Sequence, residues 1–299
     1  TIDIYATFFI LLGAHCMVWY AQTALQKGVH NAILPMALGG AAFGLGCASK
    51  WTGLYAGVGL AILYFGVLYA RWRQGRPDFR REFATAAWGG VLFYVLLPFI
   101  IYLAAYLPYT WRDPGFGVAD WWNCQVSMYN YHANLNATHP FESRWYIWLL
   151  DLRPVWYYQN SGLPDSLRGS IAGMGGPVLW LAGLYCVLLL AWRQLTGRGS
   201  RRGAAVLILY AAQLVPWMFV ARCTFLYHYF PSSMFCLAAI AVVLADMQDE
   251  KRAKRIAIGL TGASAALFVW FYPVLSGLPV PTAWAASTLW LPSWGFYWV

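Results

Sequence analysis

Lys50, Arg222 and His228 each stand at the end of a long apolar stretch of this sequence, and Arg144 stands in the longest loop between two such stretches. Ionisable groups at such depth are costly and mark function by default. Lys50 lies between two apolar runs in Ala48-Ser49-Lys50-Trp51, where an ammonium must reach water, a headgroup or a fixed anion. Arg222 and His228 share the run Arg222-Cys223-Thr224-Phe225-Leu226-Tyr227-His228-Tyr229. Arg144 follows Glu142 in a loop, where it either pairs with that carboxylate or clamps a phosphate through its planar fork. The chemistry these residue types favour is the capture of an oxyanion, and a lipid phosphate is the anion found at this depth.

Other chemistries find less support. His132 and His139 have no third ligand at a metal-binding spacing, so no metal site is predicted. Cys16, Cys47, Cys186 and Cys236 fall in apolar stretches and read as small packing residues. Cys124 and Cys223 lie outside those stretches and are open to pairing. Asn136-Ala137-Thr138 matches the N-glycosylation triplet, which is too short to carry weight. No glycine-rich nucleotide loop follows a strand, which argues against a nucleotide site or an ATP-driven pump.

Groups of this kind need a scaffold that holds them at a membrane surface. The chain has 299 residues, of which 61% are hydrophobic, 10% charged and 18% aromatic. A soluble domain carries about 25% charged residues, so this chain cannot coat a water-facing surface. The same composition excludes a disordered chain. A helix rises about 1.5 Å per residue, so about 20 apolar residues cross the hydrocarbon. Such stretches lie at roughly 3–21, 32–49, 51–70, 83–107, 175–192, 203–221, 231–246 and 256–272. They predict an all-α integral membrane protein, a multi-spanning helix bundle with about eight spans.

Arg71, Arg73, Arg76, Arg80 and Arg81 form one basic loop. Arg193, Arg198, Arg201 and Arg202 form a second, and Lys251, Arg252, Lys254 and Arg255 a third. Eight spans put all three loops, with Lys27, on one side, which the positive-inside rule makes cytoplasmic. The net charge of +9 is then a matter of topology and needs no nucleic acid. Lys50, Arg144 and Arg222 fall on the other face, where function is expected.

The predicted organisation is four spans over 1–109, an extracytoplasmic loop over 110–172, four spans over 173–272 and an aromatic tail over 273–299. In the loop, Trp121, Gln125, Met128, His132 and Leu135 share one helical face. The flanking Trp122, Tyr129 and Tyr131 suit an amphipathic helix lying on the bilayer. Trp145, Tyr146, Trp148, Trp156, Tyr157 and Tyr158 form either an aromatic belt or a platform for a sugar and a peptide. Trp284, Trp290, Trp294 and Trp298 make the tail an outer interfacial cover or a membrane anchor.

Five blocks together resemble the protein O-mannosyltransferase family. They are Ala48-Ser49-Lys50-Trp51-Thr52-Gly53-Leu54, Tyr131-His132 to Arg144-Trp145, and Arg153-Pro154-Val155-Trp156-Tyr157-Tyr158. Phe225-Leu226-Tyr227-His228-Tyr229-Phe230-Pro231 follows, then Ser276-Gly277-Leu278-Pro279 with Trp290-Leu291-Pro292-Ser293-Trp294. The resemblance implies a lipid-phosphate-sugar glycosyltransferase at the cell membrane, active on the extracytoplasmic side. It implies transfer of mannose, with inversion, from polyprenyl-phosphate-mannose to Ser or Thr hydroxyls of translocated proteins. The short 110–172 loop is similar to that of the bacterial form. In that setting Lys50, Arg222, His228 and Arg144 are the candidates for holding the donor phosphate. Asp3, Gln125, Tyr129, His132, Trp145 and Tyr227 are the candidates for an acceptor or sugar platform.

The family's catalytic Asp-Glu pair is expected in a first outer loop. The adjacent pair Asp249-Glu250 sits beside Lys251 and Arg252 on the cytoplasmic side and is not that pair. The resemblance puts the dyad upstream of Thr1, so this stretch alone is expected to be inactive, and dependence on a divalent metal stays open. The alternatives are another lipid-phosphate-sugar glycosyltransferase, acting on a glycan or lipid, and a membrane transporter.

Overall fold

Uninterrupted apolar sequence leaves the backbone one way to satisfy its polar groups in hydrocarbon, the helix. The computed structural model describes residues 2–75 and 77–296. Thr1, Arg76 and Trp298, which enter the sequence reading, lie outside the described residues. Among the described residues eight helices are long and apolar enough to cross a membrane. They are Asp3–Lys27, Val29–Ser49, Gly53–Arg73, Phe79–Arg112, Pro177–Leu195, Arg201–Phe219, Leu226–Ala245 and Glu250–Ser276. The chain is thus the multi-pass helical membrane protein that its hydropathy predicts. It divides into two compact units, Thr1–Leu135 with Ala211–Pro216 and Asn136–Tyr210 with Trp217–Val299.

The first unit holds α1 (Asp3–Lys27), α2 (Ile33–Ser49), α3 (Gly53–Arg73), α4 (Phe79–Val91), α5 (Leu97–Ala104), α6 (Leu107–Arg112) and α7 (Val118–Ala133). Small residues let α2 approach its neighbours closely. A Cβ on Gly40 would lie 1.8 Å from the carbonyl oxygen of Phe93, so only glycine fits there. The fourth span is not one regular helix. A π-helical turn over Leu92–Leu96 separates α4 from α5, and Pro98 stands just after it. Proline removes an N–H from the helical ladder, and the wider turn absorbs the misfit.

Arg71, the first of the five arginines in its basic loop, is buried. It is 2% exposed and forks onto Glu82, which is also 2% exposed. Its Nε donates to Glu82 Oε2 at 2.8 Å, and Nη2 donates to Oε1. Nη1 donates to Gln74 Oε1 at 2.9 Å and to the Leu25 carbonyl at 3.5 Å. Gly28, at φ 89°, leaves room for Glu82, whose Oε1 is 2.7 Å from where a Cβ would stand.

The second unit holds α8 (Trp145–Trp148), α9 (Pro177–Leu195), the start of α10 (Arg201–Leu214), α11 (Phe230–Ala245), α12 (Glu250–Ser276) and α13 (Thr282–Ser287). Asp249, set aside as a catalytic residue, caps α12 by accepting from the Arg252 amide at 2.9 Å. The sequence reading placed no strand here, yet two short antiparallel ladders form. β1 (Val155–Gln159) pairs with β3 (Ser170–Gly173), and β2 (Leu167–Arg168) pairs with β4 (Val280–Pro281). Val-Trp-Tyr-Tyr in β1 has the β-branched and aromatic character that strands favour. The tail is also more than a cover or an anchor. Trp294 and Phe296 are 4% and 1% exposed and share a core with Ala172, Phe271, Val274 and Ala285.

Candidate functional site

A two-way hydrogen-bonded staple builds the site in the second unit. The Ser143 amide donates to the Thr224 carbonyl at 2.8 Å, and Thr224 Oγ1 donates to the Ser143 carbonyl at 2.7 Å. Trp148 Nε1 donates to Ser143 Oγ at 2.9 Å. These buried bonds hold the 141–148 segment against the 222–225 segment, which is how Arg144 comes to stand near Arg222. Arg144 does not pair with Glu142. Its Nη1 donates to the Val220 and Ala221 carbonyls at 3.2 and 2.7 Å. Arg222 Nη1 donates to the Cys223 carbonyl at 3.2 Å. The Cys223 thiol lies in the field of both arginines and hydrogen-bonds to Glu142. Partial burial first, then Glu142, pushes that thiol up to about 11, against the pull of Arg222 and Arg144. Cys223 is therefore protonated and inert at neutral pH.

Two guanidinium groups and the Glu142 carboxylate thus meet around one thiol, and main-chain carbonyls hold the guanidinium groups. Among the described residues no carboxylate forms an ion pair with either of them. Carbonyls orient a guanidinium without neutralising it, so the remaining donors of each fork keep their charge for an anion.

His228 takes a different place from the one its sequence position implies. The ring is 6% exposed rather than open at a mouth. It sits 4.3 Å from Trp217 and 4.5 Å from Tyr227, and it stacks on Trp148 at 6.0 Å. Its Nδ1 lies 3.1 Å from the Phe225 amide nitrogen and 3.0 Å from the Phe225 carbonyl oxygen, so Phe225 offers a partner to either tautomer. Tyr227 stacks on Phe225 at 5.3 Å, and Trp145 meets Tyr146 edge-on at 5.7 Å. The aromatic patch is divided: Trp148 is buried, while Tyr146, Tyr157 and Tyr158 are exposed.

In the first unit Lys50 and Asp3, singled out separately in the sequence, form one ion pair at 2.5 Å. Lys50 therefore carries its own counter-charge. Gln125 is an anchor. It accepts from Tyr102 Oη at 2.6 Å and donates to Tyr106 Oη at 3.1 Å, while Trp51 Nε1 donates to Tyr102 Oη at 2.7 Å. This network ties α7 to the end of the fourth span. Tyr129 and His132 lie exposed on α7, and Leu135 falls beyond its last residue, Ala133. Lys50, Asp3, Gln125, Tyr129 and His132 belong to the first unit. Arg144, Trp145, Arg222, Tyr227 and His228 belong to the second.

Asp151 was not among the candidate site residues. It is 3% exposed, at φ 51°, between α8 and β1. Oδ2 accepts from the Gly175 amide at 2.8 Å, and its carbonyl accepts from Trp294 Nε1 at 2.8 Å. Oδ1 has no partner. Burial pushes the carboxyl up to about 8, with the Gly175 amide pulling the other way. The available signal was one acid inside the apolar run Trp148-Leu149-Leu150-Asp151-Leu152. No group of three or more His, Cys, Asp or Glu side chains able to hold a metal is present among the described residues. All six cysteines are free thiols, Cys124 and Cys223 included.

Residues 118–294 match the family model described as the C-terminal four TMM region of protein-O-mannosyltransferase. Residues 1–112 match the model described as dolichyl-phosphate-mannose-protein mannosyltransferase. The chain is 30% identical to a polyprenol-phosphate-mannose–protein mannosyltransferase of Mycolicibacterium smegmatis, over 85% of this chain and 57% of that protein. It is 27% identical to the protein of the same name from Mycobacterium tuberculosis, over 85% of this chain and 56% of that one. The chain therefore spans little more than half the length of these relatives. Among solved structures, the S. cerevisiae protein O-mannosyltransferase Pmt1–Pmt2 complex bound to the sugar donor is similar in fold. Its TM-score is 0.53 at 18% identity, covering 62% of this chain and 28% of that one.

Proposed function

This chain belongs to the protein O-mannosyltransferase family, and on that premise we propose that it transfers mannose from polyprenyl-phosphate-mannose to Ser and Thr hydroxyls of proteins crossing the membrane. The reaction runs on the extracytoplasmic face, with segments 110–172 and 273–299 on that side. The observation that carries the reading is the pair Arg144 and Arg222, oriented by carbonyls and, among the described residues, in no ion pair with a carboxylate. In the transfer, the bond from the anomeric carbon to the lipid phosphate breaks. A bond from that carbon to the acceptor hydroxyl forms on the opposite face, and the hydroxyl's proton passes to a carboxylate base, the role of the family's Asp-Glu pair, which is expected outside this stretch. The sugar carbon becomes cation-like, as in glycoside hydrolysis. The departing phosphate gains negative charge, and fixed cationic donors stabilise that change most when they need no reorganisation.

Arg144 and Arg222 take that task. His228, caged by Trp148, Trp217 and Tyr227, acts as the rigid floor on which the 222–225 segment rests. Trp145 and Tyr227 offer half-buried aromatic faces suited to a sugar ring. Lys50 and Asp3 act as a local pair that fixes the start of α1 against the end of α2.

The test is transfer of radiolabelled mannose from polyprenyl-phosphate-mannose to a Ser/Thr peptide, using the whole protein in membranes, since residues 1–299 alone are expected to be inactive. Arg222→Ala should lower turnover by about 10²–10³, the usual loss for one transition-state donor, while the protein still inserts. Near-normal turnover would remove Arg222 from the site. Mannose appearing on a glycan or lipid acceptor but never on the peptide would make the chain a different lipid-phosphate-sugar glycosyltransferase.

A further inference from the structure

Glu142 stands where a site for phosphate alone gains nothing from a negative charge. The bonds between Ser143 and Thr224 set residues 142 and 144 beside residues 222 and 223. The Cys223 thiol donates to Glu142, in the shared field of Arg144 and Arg222. Neither guanidinium takes the carboxylate as an ion-pair partner, and both are held by the Val220, Ala221 and Cys223 carbonyls instead. Among the described residues the other bond to Glu142 is a long one, from the His139 amide to Oε2 at 3.4 Å. An ionised carboxylate has about four lone-pair sites and only accepts. Glu142 therefore keeps acceptor capacity beside the arginine pair, on a half-buried side chain.

That mixture of charges selects among ligands. A bare phosphate between the arginines would meet the carboxylate as a like charge, and like charges held close in a partly desolvated site oppose each other. Both signs are useful to a ligand that joins an oxyanion to hydrogen-bond donors. The hydroxyls of a sugar attached to the phosphate are such donors, and bonds to an ionised acceptor are about twice as strong as neutral ones. An aromatic wall stands next to this carboxylate. Phe225 stacks on Tyr227 at 5.3 Å and meets His139 edge-on at 5.1 Å.

We infer that Glu142 is the sugar-reading group of the site. Its carboxylate accepts from hydroxyls of a hexose, while Arg144 and Arg222 hold the phosphate to which that hexose is joined. The inference rests on the phosphate site proposed above and narrows its ligand to a hexosyl phosphate rather than a free lipid phosphate.

The experiment is equilibrium binding to the whole protein in membranes, without acceptor peptide. The probes are radiolabelled polyprenyl-phosphate-mannose and, separately, radiolabelled polyprenyl phosphate. Glu142→Ala should weaken the mannosyl lipid about tenfold to a hundredfold, the range of a hydrogen bond to a charged group. The sugar-free lipid should bind as before or up to about threefold more tightly, because a like charge is gone. Glu142→Gln keeps the shape and one acceptor oxygen, so its mannosyl-lipid affinity should fall between those of the parent and Glu142→Ala. A purely structural role cannot move the two lipids apart in this way. Weaker binding of both lipids to Glu142→Ala overturns the inference and makes the side chain a support for the fold around Cys223. Unchanged binding of both also overturns it. Arg222→Ala should weaken both lipids together. If it weakens neither, the phosphate site itself is wrong and the inference falls with it, whatever Glu142 does. If Arg222→Ala weakens both while Glu142→Ala changes neither, the phosphate site stands and the sugar-reading role alone is lost.

Discussion

Arg71 in the first unit and Arg222 in the second are held in opposite fashions. Arg71 is 2% exposed, and three of its nitrogens donate to Glu82, Gln74 and the Leu25 carbonyl. A carboxylate cancels its charge. Arg222 is half-buried and tethered by one nitrogen to a carbonyl; Arg144 and Glu142 share the surroundings of Cys223 with it, and among the described residues no carboxylate forms an ion pair with it. The first arrangement spends the guanidinium on the fold. The second spends part of it on orientation and keeps the rest. Beyond the arginines, the second unit holds a buried carboxyl oxygen without a partner and a non-glycine residue at positive φ, both at Asp151. Backbone strain of this kind is a feature of sites that bind or react.

The largest expected effect tests the closed side. Glu82→Ala leaves a buried Arg71 without its counter-charge, and removing one partner of a buried ion pair costs about 3–5 kcal/mol. Replacing both residues by leucine should recover most of that loss, because the uncompensated charge is gone. Unfolding of the purified protein in graded denaturant measures both variants. A Glu82→Ala cost below about 1 kcal/mol, the range of a surface pair, would break the comparison.

The contrast also explains what the sequence could disclose. Spans are written in hydropathy alone, so all eight were legible, as were the cations at their ends. Burial of an individual charge is not written locally. Arg71 looked like one of five basic loop residues because its partner Glu82 lies across the turn between two spans. His228 looked available because the rings that enclose it, Trp148 and Trp217, arrive from other segments. Trp294 read as an interfacial residue until Phe271 and Phe296 closed around it. Lys50 and Asp3 were both singled out, but only the packing of α1 and α2 made them one pair.

A second effect, of similar or smaller size, concerns Asp151. The folded chain keeps this carboxyl protonated up to about 8, whereas the unfolded chain releases the proton near its ordinary value of 3.8. Between those values the unfolded state binds fewer protons than the folded one, so stability falls as pH rises and levels off above about 8. Asp151→Asn cannot ionise, can still accept from Gly175, and escapes that decline. Its stability relative to the parent should rise by about 2–4 kcal/mol from about pH 5 to pH 8. Thermal unfolding at several pH values measures it. Parallel curves would mean that Asp151 is ionised in the fold, and its burial would no longer set it apart from a paired carboxylate.

The smallest effects separate the two arginines by a single exchange. Lysine keeps the charge and loses the fork. Arg71→Lys gives up at least one charge-assisted bond to Glu82 and should cost about 1.5–3 kcal/mol of stability. It should leave mannosyl transfer per folded molecule unchanged. Arg222→Lys gives up little that the fold uses, so stability should stay within about 0.5 kcal/mol. Turnover should nonetheless fall about tenfold, less than for Arg222→Ala, because the cation remains while its two-pronged geometry is lost. The informative quantity is the crossing of the two readouts, since either variant alone is open to a general loss of structure. If both variants lower stability and turnover together, the open arginine is as structural as the closed one. The phosphate would then have to be held elsewhere.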